Sequence, residues 1–344
     1  MMYSQKEERR GHAIALFSGG LDSALAILLI LHQNIEVTAL TFMTHFGCDL
    51  GDRSSCGSDP FPTAEKFGFN VKLMHLGQKF VDIVANPQFG RGREMNVCID
   101  CRILMLREAK ALMEITNADF IITGEVLGQR PFSQVRDKLR VVERESGLQG
   151  KLLRPLSARL LPPTDPELRG LVDRNQLEGI NGRSRKRQLE LAAQFDLVDY
   201  PSPAGGCLLT DHGYSSRLRD LMLHADRLTF DDLNLLKVGR HFRLDSHTRI
   251  IVGRNEAENN QMASMKKSHH FLLEAPDVGS PLTLLVGDPS ETNLRLAGAI
   301  TARYSSGRHL PSVLIKWVRL SDDHEETFAV QPADDSQLVP IAIR

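Results

Sequence analysis

Two glycines and three oxygen-bearing side chains stand together near the N-terminus, in the run Ser-Gly-Gly-Leu-Asp-Ser at residues 18–23. This run separates two apolar stretches; the first has the length of a buried strand and the second that of a helix. Paired glycines permit a tight turn, and the unpaired N–H groups at a helix start attract anions. The carboxylate of Asp22 can hold a metal ion that accompanies phosphates. We call residues 18–23 the phosphate loop; the alternative is an ordinary glycine turn.

Three cysteines could add sulfur or metal chemistry. Cys98 and Cys101 form a Cys-x-x-Cys pair at the start of a predicted helix, and Cys207 follows two glycines much later in the chain. Such a set could bind a metal, form a redox pair, or hold an iron–sulfur cluster with one iron left open. A structural zinc usually needs a fourth ligand. Candidates for it are His212, Cys48 and Cys56. The remaining alternative is ordinary buried cysteines.

Strands alternating with helices should position these groups. Periodicity predicts strands at residues 37–42, 71–75 and 119–123, and helices at 62–67 and 101–115. This order is typical of a parallel sheet with helices on both faces, where ligands bind beyond the carboxyl ends of the strands. The phosphate loop and residues 123–129 both leave strands at that edge. They are therefore expected to lie side by side.

The middle of the chain is rich in proline and charge. Residues 152–177 predict loops with one short helix, and the cationic run at 182–187 opens a helix that ends near Phe195. That run is either a solvated helix start or a contact for phosphate or RNA. Residues 200–210 predict a rigid turn that presents a thiol.

Composition limits the class of protein. The chain has 344 residues, 42% hydrophobic and 25% charged, with a net charge of −1, which favours two globular domains without a global basic signature. It lacks a run of about 18 apolar residues, and its N-terminus does not have the pattern of a signal peptide. Five cysteines in such a chain favour reduced thiols. A cytoplasmic protein without membrane association is expected.

The phosphate loop resembles that of the PP-loop ATPases, which cleave ATP between its α and β phosphates and adenylate a substrate. Together with Cys98-x-x-Cys101, the strand-end Thr123-Gly124-Glu125 and the Gly-Gly-Cys at 205–207, residues 13–210 resemble the tRNA thiolases, relatives of 2-thiouridylase and 4-thiouridine synthetase. The resemblance implies adenylation of a base carbonyl and replacement of its oxygen by sulfur. It also implies ATP, Mg²⁺, a tRNA substrate, a sulfur donor (sulfide or a persulfide carrier protein) and a homodimer.

The resemblance further implies which residues act. Members that depend on a cluster hold [4Fe-4S] with three cysteines, matched here by Cys98, Cys101 and Cys207, and we favour this form. In members that use a persulfide, Cys101 would be the acid/base and Cys207 the persulfide carrier. The implied nucleotide contacts are Ser18, Gly19, Gly20, Leu21, Asp22, Ser23, Phe42, Thr123, Gly124 and Glu125. Asp22, which positions Mg²⁺-ATP, is expected to be catalytic with the two cysteines.

The C-terminal part resembles a different module. Residues 211–240 predict a helical connector, and 241–344 a smaller α+β domain that resembles the RNA-binding NFACT-R domain, most specifically in Val-Gly-Arg-Asn at 252–255. Its candidate phosphate contacts are Arg249, Arg254, Lys266, Lys267 and Arg303. The expected fold is thus an α/β parallel-sheet PP-loop domain, similar to the adenine nucleotide alpha hydrolases, over residues 1–210, followed by this module.

Two other functions remain compatible with the sequence. One is a different PP-loop adenylating enzyme, a small-molecule thiolase or an amide synthetase, with structural cysteines. The other is an RNA-binding protein with a degenerate ATP site, which the intact phosphate loop disfavours.

Overall fold

The computed structural model of the chain describes residues 10–47, 59–200 and 207–344. These form two compact units, Met1–Thr210 and Asp211–Arg344. Cys48, Cys56 and most of the predicted turn before Cys207 lie outside the described residues. Within the described ranges, no helix is long and apolar enough to cross a membrane.

The first unit contains a parallel five-stranded sheet in the order β3-β2-β1-β4-β5. Its strands are β1 (His12–Leu16), β2 (Glu36–Met43), β3 (Asn70–His75), β4 (Phe120–Thr123) and β5 (Leu152–Leu153). Its helices are α1 (Leu21–Leu31), α2 (Phe61–Phe67), α3 (Gly77–Ala85), α4 (Cys98–Thr116), α5 (Arg136–Glu145), α6 (Asp165–Leu168) and α7 (Lys186–Gln194). The predicted parallel α/β fold is confirmed.

The central position of β1 follows from its composition. Every residue from Ala13 to Phe17 is buried, as in a strand covered on both faces. In the parallel register, Leu16 lies opposite both Leu40 of β2 and Thr123 of β4. The chain therefore leaves β1 and β4 at the same level, which brings the phosphate loop beside the residues that follow Thr123.

Helix α1 is almost wholly buried because its sequence is apolar all round. Leu25, Ile27 and Ile30 are fully covered, and the helix shares a hydrophobic core with β1, β2, β4 and α7. A helix buried on every side has little freedom to shift. It therefore fixes the position of the phosphate loop from which it begins.

Three elements of this unit were not predicted. Helix α3 is short and buries Phe80, Val81 and Val84, whereas α5 buries only Leu139 and Val142 in a highly charged sequence. Strand β5 consists of two residues paired with β4 in a region rich in proline and charge. The predicted strands and helices occur within a few residues of their expected bounds, α4 beginning earlier, at Cys98 itself.

The second unit has an antiparallel sheet in the order β11-β10-β8-β9-β7-β6-β12. Its strands are β6 (Arg240–Arg243), β7 (Arg249–Val252), β8 (Phe271–Glu274), β9 (Thr283–Val286), β10 (Val313–Arg319), β11 (His324–Val330) and β12 (Ala342–Ile343). Its helices are α8 (His212–His224), α9 (Phe230–Leu235), α10 (Glu256–Met265), α11 (Glu291–Tyr304) and α12 (Asp335–Leu338). Strands β6 and β7 form an antiparallel hairpin, and the predicted connector, residues 211–240 with α8 and α9, belongs to this unit.

Candidate functional site

The phosphate loop is held in shape by its own serines. The Ser23 hydroxyl donates to the Gly20 carbonyl at 2.8 Å and accepts from the Ser18 backbone N–H at 3.3 Å. Gly19 has a φ of +72°, a conformation that favours glycine. Ser18 is exposed, so the loop turns a hydroxyl toward solvent while its base is fixed.

Gly124 packs directly on the start of α1. A Cβ at position 124 would lie 2.5 Å from the backbone nitrogen of Ser23 and 2.6 Å from the carbonyl carbon and oxygen of Asp22. Only a residue without a side chain permits this approach. The expectation that the phosphate loop and the end of β4 lie side by side is confirmed.

Among the described residues, one carboxylate oxygen of Asp22 is hydrogen-bonded and the other, which we call the spare oxygen, is not. Oδ2 accepts a hydrogen bond from Nε2 of Gln129 at 3.0 Å. Oδ1 is buried and has no hydrogen-bond partner among the described residues. Buried oxygens are normally paired, and a hard cation such as Mg²⁺ prefers carboxylate oxygens. The loop and this spare oxygen therefore fit a nucleotide phosphate with its Mg²⁺.

Glu125 is the centre of a buried ion group. Its carboxylate is 3.0 Å from Nε of Arg154 and 3.3 Å from Nε of Arg102, and it accepts from the Thr123 hydroxyl at 3.1 Å. Burial alone would raise the pKa of Glu125, but the arginine charges and these hydrogen bonds outweigh it, so the pKa lies below 4.5. The carboxylate is thus charged and engaged with protein groups; its role as a nucleotide contact stays a prediction.

The same ion group ties the thiol-bearing helix to the phosphate site. Arg102 directly follows Cys101 in α4, and Glu125 directly follows Gly124. Asp100, 6% exposed, accepts the backbone N–H of Gln88 at 2.8 Å and so fixes the loop before α4. The Cys98–Cys101 pair, in the first turn of α4 and half-buried, is therefore anchored relative to the phosphate loop.

Cys207 is held near that helix by backbone hydrogen bonds of its neighbours. Leu208 N–H donates to the Phe46 carbonyl and Met95 N–H donates to the Leu209 carbonyl, both at 3.0 Å. Met95 shortly precedes Cys98. Among the described residues, however, no three His, Cys, Asp or Glu side chains are close enough to hold one metal ion. The three cysteines thus do not form a site for a single metal ion, and a cluster on them stays a prediction.

Other predicted contacts are found at the same edge of the sheet. Phe42 is buried near the end of β2, and Thr123 ends β4. Three contributors were missed: Gln129, which binds Asp22, and the two arginines on Glu125. Gln129 could have been found from the sequence, because it lies in the segment 123–129 that was expected beside the phosphate loop. No sequence pattern indicated that Arg154 contacts Glu125.

In the second unit, most candidate phosphate contacts have acidic partners. Arg249 is 4% exposed and bonded to Asp232, which removes it from the surface candidates. Arg254, Lys267 and Arg303 are each within 3.3 Å of a carboxylate oxygen. The strand and helix pattern expected for this module is nevertheless present.

Comparisons with known families agree with both units. Residues 9–159 match the family model described as thiamine biosynthesis protein (ThiI), and residues 239–340 match that of the NFACT protein RNA binding domain. The first unit thus carries a ThiI-type domain of the PP-loop tRNA thiolase family. The second unit carries an NFACT RNA-binding domain.

Curated relatives support the same class. The probable tRNA sulfurtransferase of Thermococcus kodakarensis is 27% identical over 43% of this chain and 37% of its own length. The tRNA-specific 2-thiouridylase MnmA of Amoebophilus asiaticus is 25% identical over 53% of each chain. This chain thus spans about half of these relatives or less. A 4-thiouridine synthetase in complex with RNA and ATP has 19% identity, coverage of 54% and 52%, and a TM-score of 0.31.

Proposed function

We propose that this protein is an ATP-dependent tRNA sulfurtransferase that adenylates a nucleobase carbonyl and replaces its oxygen with sulfur. The observation that carries the proposal is the packing of Gly124 on Asp22 and Ser23. This packing supports a phosphate site, with an unpaired carboxylate oxygen of Asp22, at the carboxyl edge of the sheet. The cysteine-bearing helix α4 is tied to the same edge by the ion pair between Arg102 and Glu125. The family matches support thiolation as the class of reaction.

The phosphate loop would act in the first step. Its backbone N–H groups and the Ser18 hydroxyl hold the β and γ phosphates of ATP and stabilise the departing pyrophosphate. The spare oxygen of Asp22 would hold Mg²⁺, which supplies charge neutralisation on the phosphates. The base oxygen attacks the α phosphate, and pyrophosphate leaves. Adenylation matters because a carbonyl oxygen is otherwise a poor leaving group.

The cysteines would act in the second step. Cys207 carries the sulfur as a persulfide, whose terminal sulfur attacks the activated carbon, and AMP departs with the original oxygen. A dithiol reductant then cleaves the S–S bond between the base and Cys207: the base keeps the outer sulfur as its thiocarbonyl, Cys207 returns to the thiol, and the dithiol becomes a disulfide. Cys101, anchored through its neighbour Arg102, serves as acid/base. A thiolate or persulfide is the strong nucleophile available near neutral pH. A cluster held by Cys98, Cys101 and Cys207 stays the alternative form of this step, and no step is written through it.

The partners follow from the same proposal. A tRNA is bound with the help of the second unit. A persulfide carrier protein supplies the outer sulfur of the Cys207 persulfide; where sulfide is the donor, it attacks the activated carbon directly, without a persulfide on Cys207. Reduced thiols of this kind require a reducing compartment such as the cytoplasm. The homodimer expected from the resemblance stays a prediction, for which sedimentation of the full chain is the test.

The experiment is reconstitution with the full chain. Unmodified tRNA transcripts are incubated with the protein, ATP, Mg²⁺ and either sulfide or a persulfide donor, and the nucleosides are identified by mass spectrometry. A thionucleoside should form with ATP and not with an analogue that resists cleavage between the α and β phosphates. Absence of any thionucleoside with both donors contradicts the proposal. Iron analysis after anaerobic purification decides between a cluster and the persulfide route.

A further inference from the structure

Residues 183–186, Arg-Ser-Arg-Lys, which we call the basic segment, carry three cations just before and at the start of α7. Arg183 and Lys186 are exposed and Arg185 is half-buried. Within the described ranges, none of the three forms an ion pair. The next residue differs: Arg187 is 2.7 Å from Glu178 and 3.3 Å from Glu190, so it is engaged in the fold.

The three cations do not stabilise the fold where they stand. They are close together in sequence and repel one another, and they precede or open α7, where the helix dipole disfavours positive charge. An anionic partner at this position would attract all three cations and so offset both their mutual repulsion and their unfavourable interaction with the helix dipole.

Backbone contacts hold the basic segment next to the phosphate site. Asn181 forms a β-bridge with Leu127, and the Gly182 N–H donates to the Leu127 carbonyl at 2.8 Å. The contact is tight: a Cβ on Gly128, whose φ is +76°, would lie 2.7 Å from the Asn181 side chain. The residue after Gly128 is Gln129, which binds Asp22. The basic segment is thus separated from the phosphate loop by one short, rigid connection.

Helix α7, which the basic segment opens, packs on α1, the helix that begins at the phosphate loop. The rings of His32 and Phe195, which directly follow α1 and α7, meet at a centroid distance of 6.1 Å. Leu191 and Ala192 of α7 share the core that surrounds α1. The position of α7 is therefore fixed against α1.

We infer that the basic segment binds the phosphodiester backbone of the substrate RNA beside the phosphate loop, so that the target base reaches the activated phosphate. This inference rests on the proposed function, whose RNA substrate it adopts. Exposed guanidinium and ammonium groups are the usual contacts to RNA phosphates, and they position RNA without reading its sequence. The phosphates of ATP are the other source of the same chemistry, and the experiment separates the two.

The test uses the full chain with Arg183, Arg185 and Lys186 all changed to Gln. Binding of a fluorescently labelled tRNA transcript is measured by anisotropy over a range of salt concentrations, and ATP binding by calorimetry. The variant should bind the transcript about tenfold or more weakly at low salt, and the slope of log K against log[salt] should fall by about 2 to 3. ATP affinity and the melting temperature should match those of the unchanged chain.

A matched control removes the same charges elsewhere. Arg136, Lys138 and Arg140 of α5 are also two arginines and a lysine within five residues, and they form no ion pair within the described part of the chain. Changing all three to Gln should leave the RNA slope nearly unchanged. An equal loss in both variants, or no loss in the first, overturns the inference. A loss of ATP affinity alone assigns the segment to the nucleotide instead.

These outcomes are distinguishable from failure of the proposed function. If the unchanged chain makes no thionucleoside but the basic segment still governs RNA affinity, the RNA site stands and the reaction is wrong. If the unchanged chain makes a thionucleoside but the substitutions in the basic segment do not change RNA affinity, the proposed reaction stands and the RNA site is wrong.

Discussion

Replacing Gly124 with alanine tests the geometry of the phosphate site most sharply. The added methyl would lie 2.5 Å from the Ser23 nitrogen and 2.6 Å from the Asp22 carbonyl. These are backbone atoms at the start of a helix buried on all sides, so they cannot rotate away as a side chain would. Either β4 or the start of α1 must move, and overpacking of this kind costs about 1–3 kcal/mol.

The free energy lost through Gly124→Ala should appear partly as lower folding stability and partly as weaker ATP binding. Each 1.4 kcal/mol that is lost from ATP binding raises Kd by a factor of about ten. Calorimetric titration with Mg²⁺-ATP measures the affinity, and urea unfolding measures the stability. We expect the sum of the two losses to reach about 1–3 kcal/mol.

Gly179→Ala is the matched control. Its added methyl would meet the nearest atom, Cβ of Arg159, at 3.6 Å, an ordinary contact in the same unit. It should change neither quantity. If Gly124→Ala also leaves both ATP affinity and stability unchanged, Gly124 does not pack on the phosphate loop as described, and the reasoning about this site is refuted.

Four further predictions concern charge and sulfur. Asp22→Asn should weaken Mg²⁺-ATP binding, measured by calorimetry, without unfolding the protein. Cys207→Ser should abolish thiolation, measured by nucleoside analysis, without changing ATP binding. Unchanged ATP affinity in the first variant, or retained thiolation in the second, would contradict these assignments. Glu125→Gln removes the carboxylate from the partly exposed Arg102 and leaves the buried Arg154 with only Glu143 as an acidic partner, and it should cost about 3 kcal/mol in urea unfolding at pH 7. In the unchanged chain that stabilisation is present above pH 4.5 and is lost as the pH falls through the lowered pKa of Glu125. Burial and then the charge of Arg217 lower the pKa of His241 from 6.5 to about 3, so the stability of the second unit should fall as the pH drops from 6.5 toward 3. His241→Gln should flatten this fall in pH-dependent unfolding, and an unaltered profile would contradict it.

The phosphate loop was predictable because its chemistry is local. A strand, a glycine turn and a helix start are contiguous in sequence, so residues 18–23 identify themselves without knowledge of the fold. The meeting of this loop with Gly124 required only the rule that parallel strands share one carboxyl edge.

The ion group around Glu125 was not predictable in the same way. Its partners, Arg102 and Arg154, come from a helix and from the end of a two-residue strand that has no periodic signal. Sequence could indicate that Glu125 lies at the site, but only the packing of these elements shows that its carboxylate is engaged by arginines. The arrangement of Cys207 relative to α4 likewise depends on backbone hydrogen bonds between distant segments.

Oxygen-18 labelling of the target base tests the central claim most directly. A tRNA transcript that carries the label in the base carbonyl is thiolated by the full chain with ATP, and the released AMP is examined by mass spectrometry. Adenylation of the base predicts that the label appears in the phosphate of AMP, in step with thionucleoside formation. Thionucleoside formed together with unlabelled AMP would contradict the account.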